Sequence, residues 1–215
     1  MKMNESRGQA SCSCQETSHP VQLIVLTGGP GAGKTAVLEL VRKTLCEHVV
    51  IVPEAASIIF SGGFWRHETT AGEKGAQRAI YHVQRELEGI IEEEGTAALA
   101  LCDRGTLDSL AYWPVEEEIF WKEVESNRQN ELIRYKAVIQ LRSPSLEEGY
   151  NHQNPLRIES VRQAHLIDQK LLKIWEGHPN RHIIENEPDF MTKAHKAIQI
   201  LKQYLPKCCH LEKLP

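Results

Sequence analysis

Long apolar runs are missing from this 215-residue chain: the strongest, residues 21–26 and 97–102, fall far short of the roughly twenty residues that a membrane-crossing helix needs. Residues 1–20 contain a lysine but lack the apolar core of a signal peptide, so they read as a polar tail and a cytoplasmic location is expected. An excess of basic charge is also absent. Twenty-five Lys and Arg stand against twenty-nine Asp and Glu, a formal charge of -4, which offers no general field for a nucleic-acid polymer. Ten histidines are scattered without an H-E-x-x-H arrangement. Neither N-K-x-D nor D-x-x-G occurs, which argues against a Ras-like GTPase mechanism while leaving GTP itself open.

Six cysteines without an export signal point to free thiols in a reducing compartment. Cys12 and Cys14 with Cys208, Cys209 and His210 would form a zinc site between the chain ends only with spacings outside the usual pattern, so tails are the expectation. What is present is a globular composition, 41% apolar and 25% charged, in a length that suits one domain. The division expected is a polar tail over 1–19, a domain over 20–206 with a lid at about 143–162, and a C-terminal tail over 207–215.

Residues 21–26 form a nearly continuous apolar strand, the pattern of one buried on both faces of a parallel sheet. A glycine-rich turn follows, then a helix over about 34–46 with Ala36, Val37, Leu40 and Val41 on one side. Further strands are expected at 49–52, 97–102, 136–141 and 181–184. Helices are expected from 76 to 94 with Ile80, Val83, Leu87 and Ile90 in phase, from 158 to 174, and from 190 to 205. Residues 57–75 lack a steady period and read as a loop with short helical pieces. Strands alternating with helices, each strand followed by reactive residue types, describe an open α/β sheet with its site at the carboxyl edge.

Gly28, Gly29, Pro30, Gly31, Ala32, Gly33, Lys34 and Thr35 satisfy G-x-x-x-x-G-K-T directly after an apolar strand and at the start of a helix. The glycines let successive N–H groups curl around a phosphate, and the helix start adds unpaired donors and a positive end. Lys34 reaches the β- and γ-phosphates in such a loop, Thr35 ligates Mg²⁺, and Ala36 completes the nucleotide-binding stretch. A loop that only turns the chain explains neither the lysine nor the hydroxyl.

Asp103, after the third strand, stands where a Walker B carboxylate would hold Mg²⁺ directly or through water. Arg104 beside it can neutralise phosphate or position Asp103, and Asp108 either pairs with that arginine or serves as a charge at a helix start. Glu54, after the second strand, is a candidate to orient or deprotonate an acceptor hydroxyl, with a helix cap or salt bridge as the alternative. Arg78 and Gln84 share a helix that would flank the acceptor. Arg142, Arg157 and Arg162 follow the fourth strand, as expected of a lid supplying cations to the transferred phosphate. Residues 60–66, with Trp65, and Tyr112 with Trp113 either stack on a base or pack in the core.

The loop 28–35, Val52-Pro53-Glu54-Ala55-Ala56, Gln77-Arg78 and Cys102-Asp103-Arg104-Gly105 with Asp108 together resemble the P-loop family of AAA-labelled domains related to bacterial nicotinamide riboside kinase. The similarity extends over about residues 20–206 and, more widely, to nucleoside, nucleotide and shikimate-type kinases. It implies a three-layer P-loop fold whose five-stranded parallel sheet has the order 2-3-1-4-5, flanked by helices, with a lid after the fourth strand. It also implies phosphate and Mg²⁺ at Lys34 and Thr35, and acceptor and metal around Glu54, Asp103 and Arg104. A eukaryotic branch of the family is described as GTP- and phospholipid-binding. The chain shows neither an arginine-finger segment nor room for the helical lid domain of a ring-forming ATPase, so a ring is not expected.

The expected activity is Mg²⁺-dependent transfer of the γ-phosphoryl of ATP to a hydroxyl or phosphate of a small, nucleoside-like acceptor, by a monomer or homodimer. The rival is a regulatory ATP or GTP switch with slow hydrolysis and a protein or lipid partner. An acceptor separates them: it should accelerate nucleotide consumption by a kinase and leave a switch unchanged.

Overall fold

The computed structural model describes residues 19–143, 161–187, 189–206 and 209. Arg157, the other expected lid residues from 144 to 160, and Cys12, Cys14, Cys208 and His210 lie outside them. Five parallel strands, β1 (Gln22–Thr27), β2 (Val49–Val52), β3 (Leu99–Asp103), β4 (Ala137–Leu141) and β5 (Arg181–Ile184), form one sheet in the order β2-β3-β1-β4-β5. This is the expected order. The central strand β1 pairs Leu26 with Asp103 on one side and with Ile139 on the other, which brings the expected Walker B residue level with the end of the first strand.

Period-2 alternation distributes the strand side chains between two cores. Ile24, Leu26, Leu101 and Ile139 pack with α1 (Lys34–Thr44) and α7 (Phe190–Lys202) on one face. Leu23, Val25, Cys102 and Val138 face the other layer, with Leu107, Phe120, Leu171 and Trp175. That layer contains α3 (Thr70–Glu94), a 3₁₀ helix (Thr106–Tyr112), α4 (Glu117–Glu123), α5 (Arg128–Arg134) and α6 (Val161–Ile174). Trp113 belongs to this core, edge-to-face with Phe120, rather than to a base-stacking surface.

The helices depart from expectation in instructive ways. In α1 the buried side chains are Lys34, Val37, Leu38 and Val41, with Ala36 exposed. Residues 55–61 form a short helix, α2 (Ala55–Ser61), which begins two residues before the stretch 57–75 expected to be a loop with short helical pieces. The long α3 begins at Thr70, not at 76, because Thr69 caps it by accepting a hydrogen bond from Gly72 N at 3.1 Å. Its buried seam is Ala76, Gln77, Tyr81, Gln84 and Glu88, while Ile90 is 51% exposed. This polar seam meets polar partners: Glu88 pairs with Arg134 at 2.7 Å, and Tyr81 donates to Glu131 at 2.7 Å. On α6, described over Val161–Ile174, Asp168 occupies a buried position while His165 is exposed. Among the described residues no helix is long and apolar enough to cross a membrane.

Candidate functional site: a phosphate loop beside an acceptor-sized cleft

The loop between β1 and α1 can exist only with glycine at two of its corners. Gly28 adopts φ 147°, and a Cβ there would lie 2.3 Å from the carbonyl oxygen of Leu141; Gly33 adopts φ 94° against the ring of Phe190. Behind the loop, Ser143 Oγ donates to Pro30 O at 3.0 Å, and Asp168 accepts from Arg142 Nε at 2.9 Å and Ser143 N at 3.1 Å. Arg142 is thus part of a strut that backs the loop. Asp168 anchors that strut, and its only sequence signal was a charge within an amphipathic helix.

Inside the loop Lys34 is 7% exposed and donates from Nζ to Gly28 O at 2.7 Å and Gly29 O at 3.4 Å. Burial, helped by the charge of Arg104, lowers its pKa to about 8 against the opposing pull of Asp103, Glu54 and Asp108. Thr35 is exposed at the start of α1 and lines the adjacent cleft.

Asp103 ends β3 with its Oδ1 buried and, among the described residues, without a hydrogen-bond partner. Burial raises its pKa, as do the carboxylates of Glu54 and Asp108, against Lys34 and Arg104. A buried carboxylate oxygen with no donor among the described residues, in a cleft that Thr35 also lines, fits a hard divalent cation such as Mg²⁺.

Arg104 is held at φ 75°, a left-handed conformation that costs a non-glycine residue about 1–3 kcal/mol. Its N–H donates to Leu26 O at 3.1 Å, and its Nε donates to Glu54 Oε1 at 2.6 Å. The other Glu54 oxygen accepts from Ser57 Oγ. Burial pushes the Glu54 pKa up, but Arg104, Ser57 and Lys34 outweigh it and hold it down at about 2. Glu54 is therefore an anion at neutral pH and a weak base.

Asp108 is 3% exposed and joins three parts of the fold. It accepts from Thr27 Oγ1 at 2.7 Å and from the indole N–H of Trp175 at 2.6 Å, and lies 3.7 Å from Arg104 Nη1. Both expected roles are present, the pairing with Arg104 and the place in the first turn of a helix, here a 3₁₀ helix.

These groups border a cleft of about 640 Å³ that opens from the phosphate loop between α2, α3 and the 3₁₀ helix. Gln77, Gln84, Ser109 and Tyr112 line it, together with Phe60 and Arg66, whose guanidinium lies 4.0 Å over the Phe60 ring. Asp103 Oδ1, Arg104 Nη1 and Ser109 Oγ, all from residues lining this one cleft, are buried polar atoms without a hydrogen-bond partner among the described residues. Gln84 thus lines the cleft as expected. Arg78 instead pairs with Glu123, Trp65 is 75% exposed away from the cleft, and Arg162 is exposed on the first turn of α6 and does not line it. Of the stretch 60–66, Phe60 and Arg66 line the cleft, while Ser109 escaped assignment because only the folded chain brings it there.

A glycine-rich loop wrapped around a buried lysine at the carboxyl edge of a 2-3-1-4-5 sheet defines a P-loop nucleotide-binding protein of kinase-like fold. The chain belongs to the family described as AAA domain, whose model matches residues 23–193. Among solved structures, thymidylate kinase from Candida albicans superposes with a TM-score of 0.62 at 15% identity, over 87% of this chain and 93% of that one. Thymidylate kinase from Ehrlichia chaffeensis gives 0.54 at 13% identity, over 84% and 98%. NadR in complex with NAD and AMP-PNP gives 0.58 at 15% identity, over 91% of this chain and 52% of that longer one. At these identities the likeness speaks to the fold. No curated protein matches the chain.

Proposed function

We propose that the protein is an ATP-dependent phosphotransferase acting on a small, nucleoside-like hydroxyl or phosphate acceptor. The observation that carries this reading is the set of buried polar atoms on Asp103, Arg104 and Ser109 that lack a hydrogen-bond partner among the described residues, gathered beside the phosphate loop in a cleft with volume for a second small molecule. Its solved neighbours include kinases of nucleotides and a protein bound to NAD and an ATP analogue, in keeping with such an acceptor.

In this reading Lys34 leaves the loop carbonyls to donate to phosphate oxygens, and Arg104 Nη1 donates to the group being transferred. Glu54 fixes the Arg104 guanidinium through Nε and accepts a hydrogen bond from the acceptor with a remaining lone pair. Tyr112 and Phe60 offer ring faces to a base, and Gln77 and Gln84 offer amide groups to its edge. Thr35 and Asp103 would hold Mg²⁺, which when bound supplies neutralisation of the triphosphate charge. Catalysis then rests on positioning and electrostatics, with little demand for a strong base, which suits a glutamate with a pKa of about 2.

The test is transfer from labelled ATP or GTP with Mg²⁺ into a pool of nucleosides and nucleoside monophosphates, beside phosphate release without acceptor. A labelled product that disappears in Lys34→Ala supports the assignment and names the acceptor class. Tight nucleotide binding with no product and unstimulated slow hydrolysis across the pool would overturn it in favour of a regulatory switch with a protein or lipid partner.

A further inference from the structure

The opposite edge of the sheet carries a second concentration of chemistry. Cys46 follows α1 and accepts at its carbonyl from Val49 N at 3.0 Å, at the entry to β2. His48, two residues on, is pinned there by its own carbonyl, which accepts from Ala98 N at 2.9 Å and Leu99 N at 3.1 Å. Cys209 arrives from beyond α7, its N–H donating to Pro206 O at 2.9 Å, and is buried against the same core as Cys46. The ligand atoms of Cys46, His48 and Cys209 all lie within 4.8 Å of one another, and Cys209 Sγ is 3.5 Å from His48 Nδ1.

We propose that Cys46, His48 and Cys209 form a structural site for a borderline-soft divalent cation, zinc above all. Tetrahedral zinc with Zn–S of ~2.3 Å and Zn–N of ~2.0–2.1 Å places its ligand atoms about 3.4–3.8 Å apart. The Cys209 to His48 separation already meets that value, and the remaining separations require a contraction of about an ångström at most. Two thiols and an imidazole without a carboxylate among them select zinc over the oxygen-seeking Mg²⁺ suited to the phosphate loop. His19, 6% exposed with its ring centroid 4.6 Å from that of His48, stands beside the cluster but outside the three mutually close ligand atoms, so the fourth position falls to His19 only if its ring moves, and otherwise to water. The arrangement differs from the terminal Cys12, Cys14, Cys208, Cys209 and His210 grouping considered from sequence: it has one terminal cysteine and two donors from the α1–β2 corner.

Binding replaces each S–H proton by the metal, so one proton leaves each cysteine for solvent as its Zn–S bond forms, with no change of oxidation state. The product is a clasp joining residue 209 to residue 46, at the amino edge of the strands, opposite the edge that carries the phosphate loop.

The full chain, purified reduced and without chelator, is tested by metal analysis and by Co²⁺ substitution. The expected result is one zinc per chain, a thiolate-to-cobalt charge-transfer band with the intense visible bands of tetrahedral cobalt, and a melting temperature several degrees higher than after chelation. Cys46→Ala, His48→Ala and Cys209→Ala should each lose the metal while nucleotide binding is unchanged. Since a variant of a buried cysteine can misfold, alkylation of the unaltered chain gives a second readout: added Zn²⁺ should protect Cys46 and Cys209. Failure to bind zinc, metal retained after all three substitutions, unprotected thiols, or a Cys46–Cys209 disulfide in the isolated protein would each overturn the site.

Discussion

Lys34 shows how a single residue can be poised by its surroundings. Its ammonium sits among loop carbonyls in a desolvated position, with Arg104 competing for the same anions, so it retains its proton less firmly than a surface lysine and titrates at about 8. A bound triphosphate stabilises the protonated form and raises the pKa in the complex. Nucleotide affinity should therefore be flat below pH about 8 and fall as pH climbs through that value, as the free protein surrenders the proton that the complex needs. Calorimetric titrations at neutral and alkaline pH check this, and an affinity that rises across the window contradicts it. Lys34→Ala should weaken triphosphate binding roughly 10- to 150-fold, the loss of one charge-assisted hydrogen bond. The lysine was legible because the whole phosphate loop lies within one short stretch of sequence. For Glu54, expected either to orient or deprotonate an acceptor hydroxyl or to serve as a helix cap or salt bridge, the structure forms the salt bridge, to Arg104, a contact that spans fifty positions and leaves no local trace.

Between β3 and the 3₁₀ helix, Gly105 is there for space. Its φ of -114° suits any residue, but a Cβ would lie 2.8 Å from both Trp175 Cζ2 and Val25 Cγ2, on atoms of the packed core. Gly105→Ala should destabilise the fold by about 1–3 kcal/mol by overpacking and lower the midpoint of urea unfolding; an unchanged midpoint would show that α6 can retreat freely. Elements with a strong apolar signature were the readable ones. The central strands β1, β3 and β4 declared themselves because parallel strands covered on both faces are mostly apolar, whereas the edge strand β5 carries Arg181 and His182. The seam of α3 was misread because its inward positions carry Gln77, Gln84 and Glu88, polar residues that serve the cleft and the Arg134 network, while Ile90 looks outward. Its first turns were obscured by Gly72 and Gly75, which depress helix propensity without preventing a capped start.

For the whole molecule, the alternation of strands with helices established the α/β class, and the resemblance of several short motifs supplied the strand order that the sheet adopts. Convergence was beyond reach: Arg66, Ser109 and Asp168 come from separate segments, and no spacing rule relates them to residue 34. The same convergence sets Trp175, fully buried in α6's following turn, one hydrogen bond from Asp108 and hence two contacts from Arg104. An indole is a fluorophore whose emission shifts with the electric field along its ring. Arrival of a polyanion that redraws the charges around Asp108 should therefore change Trp175 emission, a response lost in Trp175→Phe and readable by titrating nucleotide in a fluorimeter. If the emission of Trp175 is indifferent to saturating nucleotide, the charge cluster is insulated from the loop. If it responds, the fold carries its own optical gauge of occupancy, and ligands can be screened without attaching a dye.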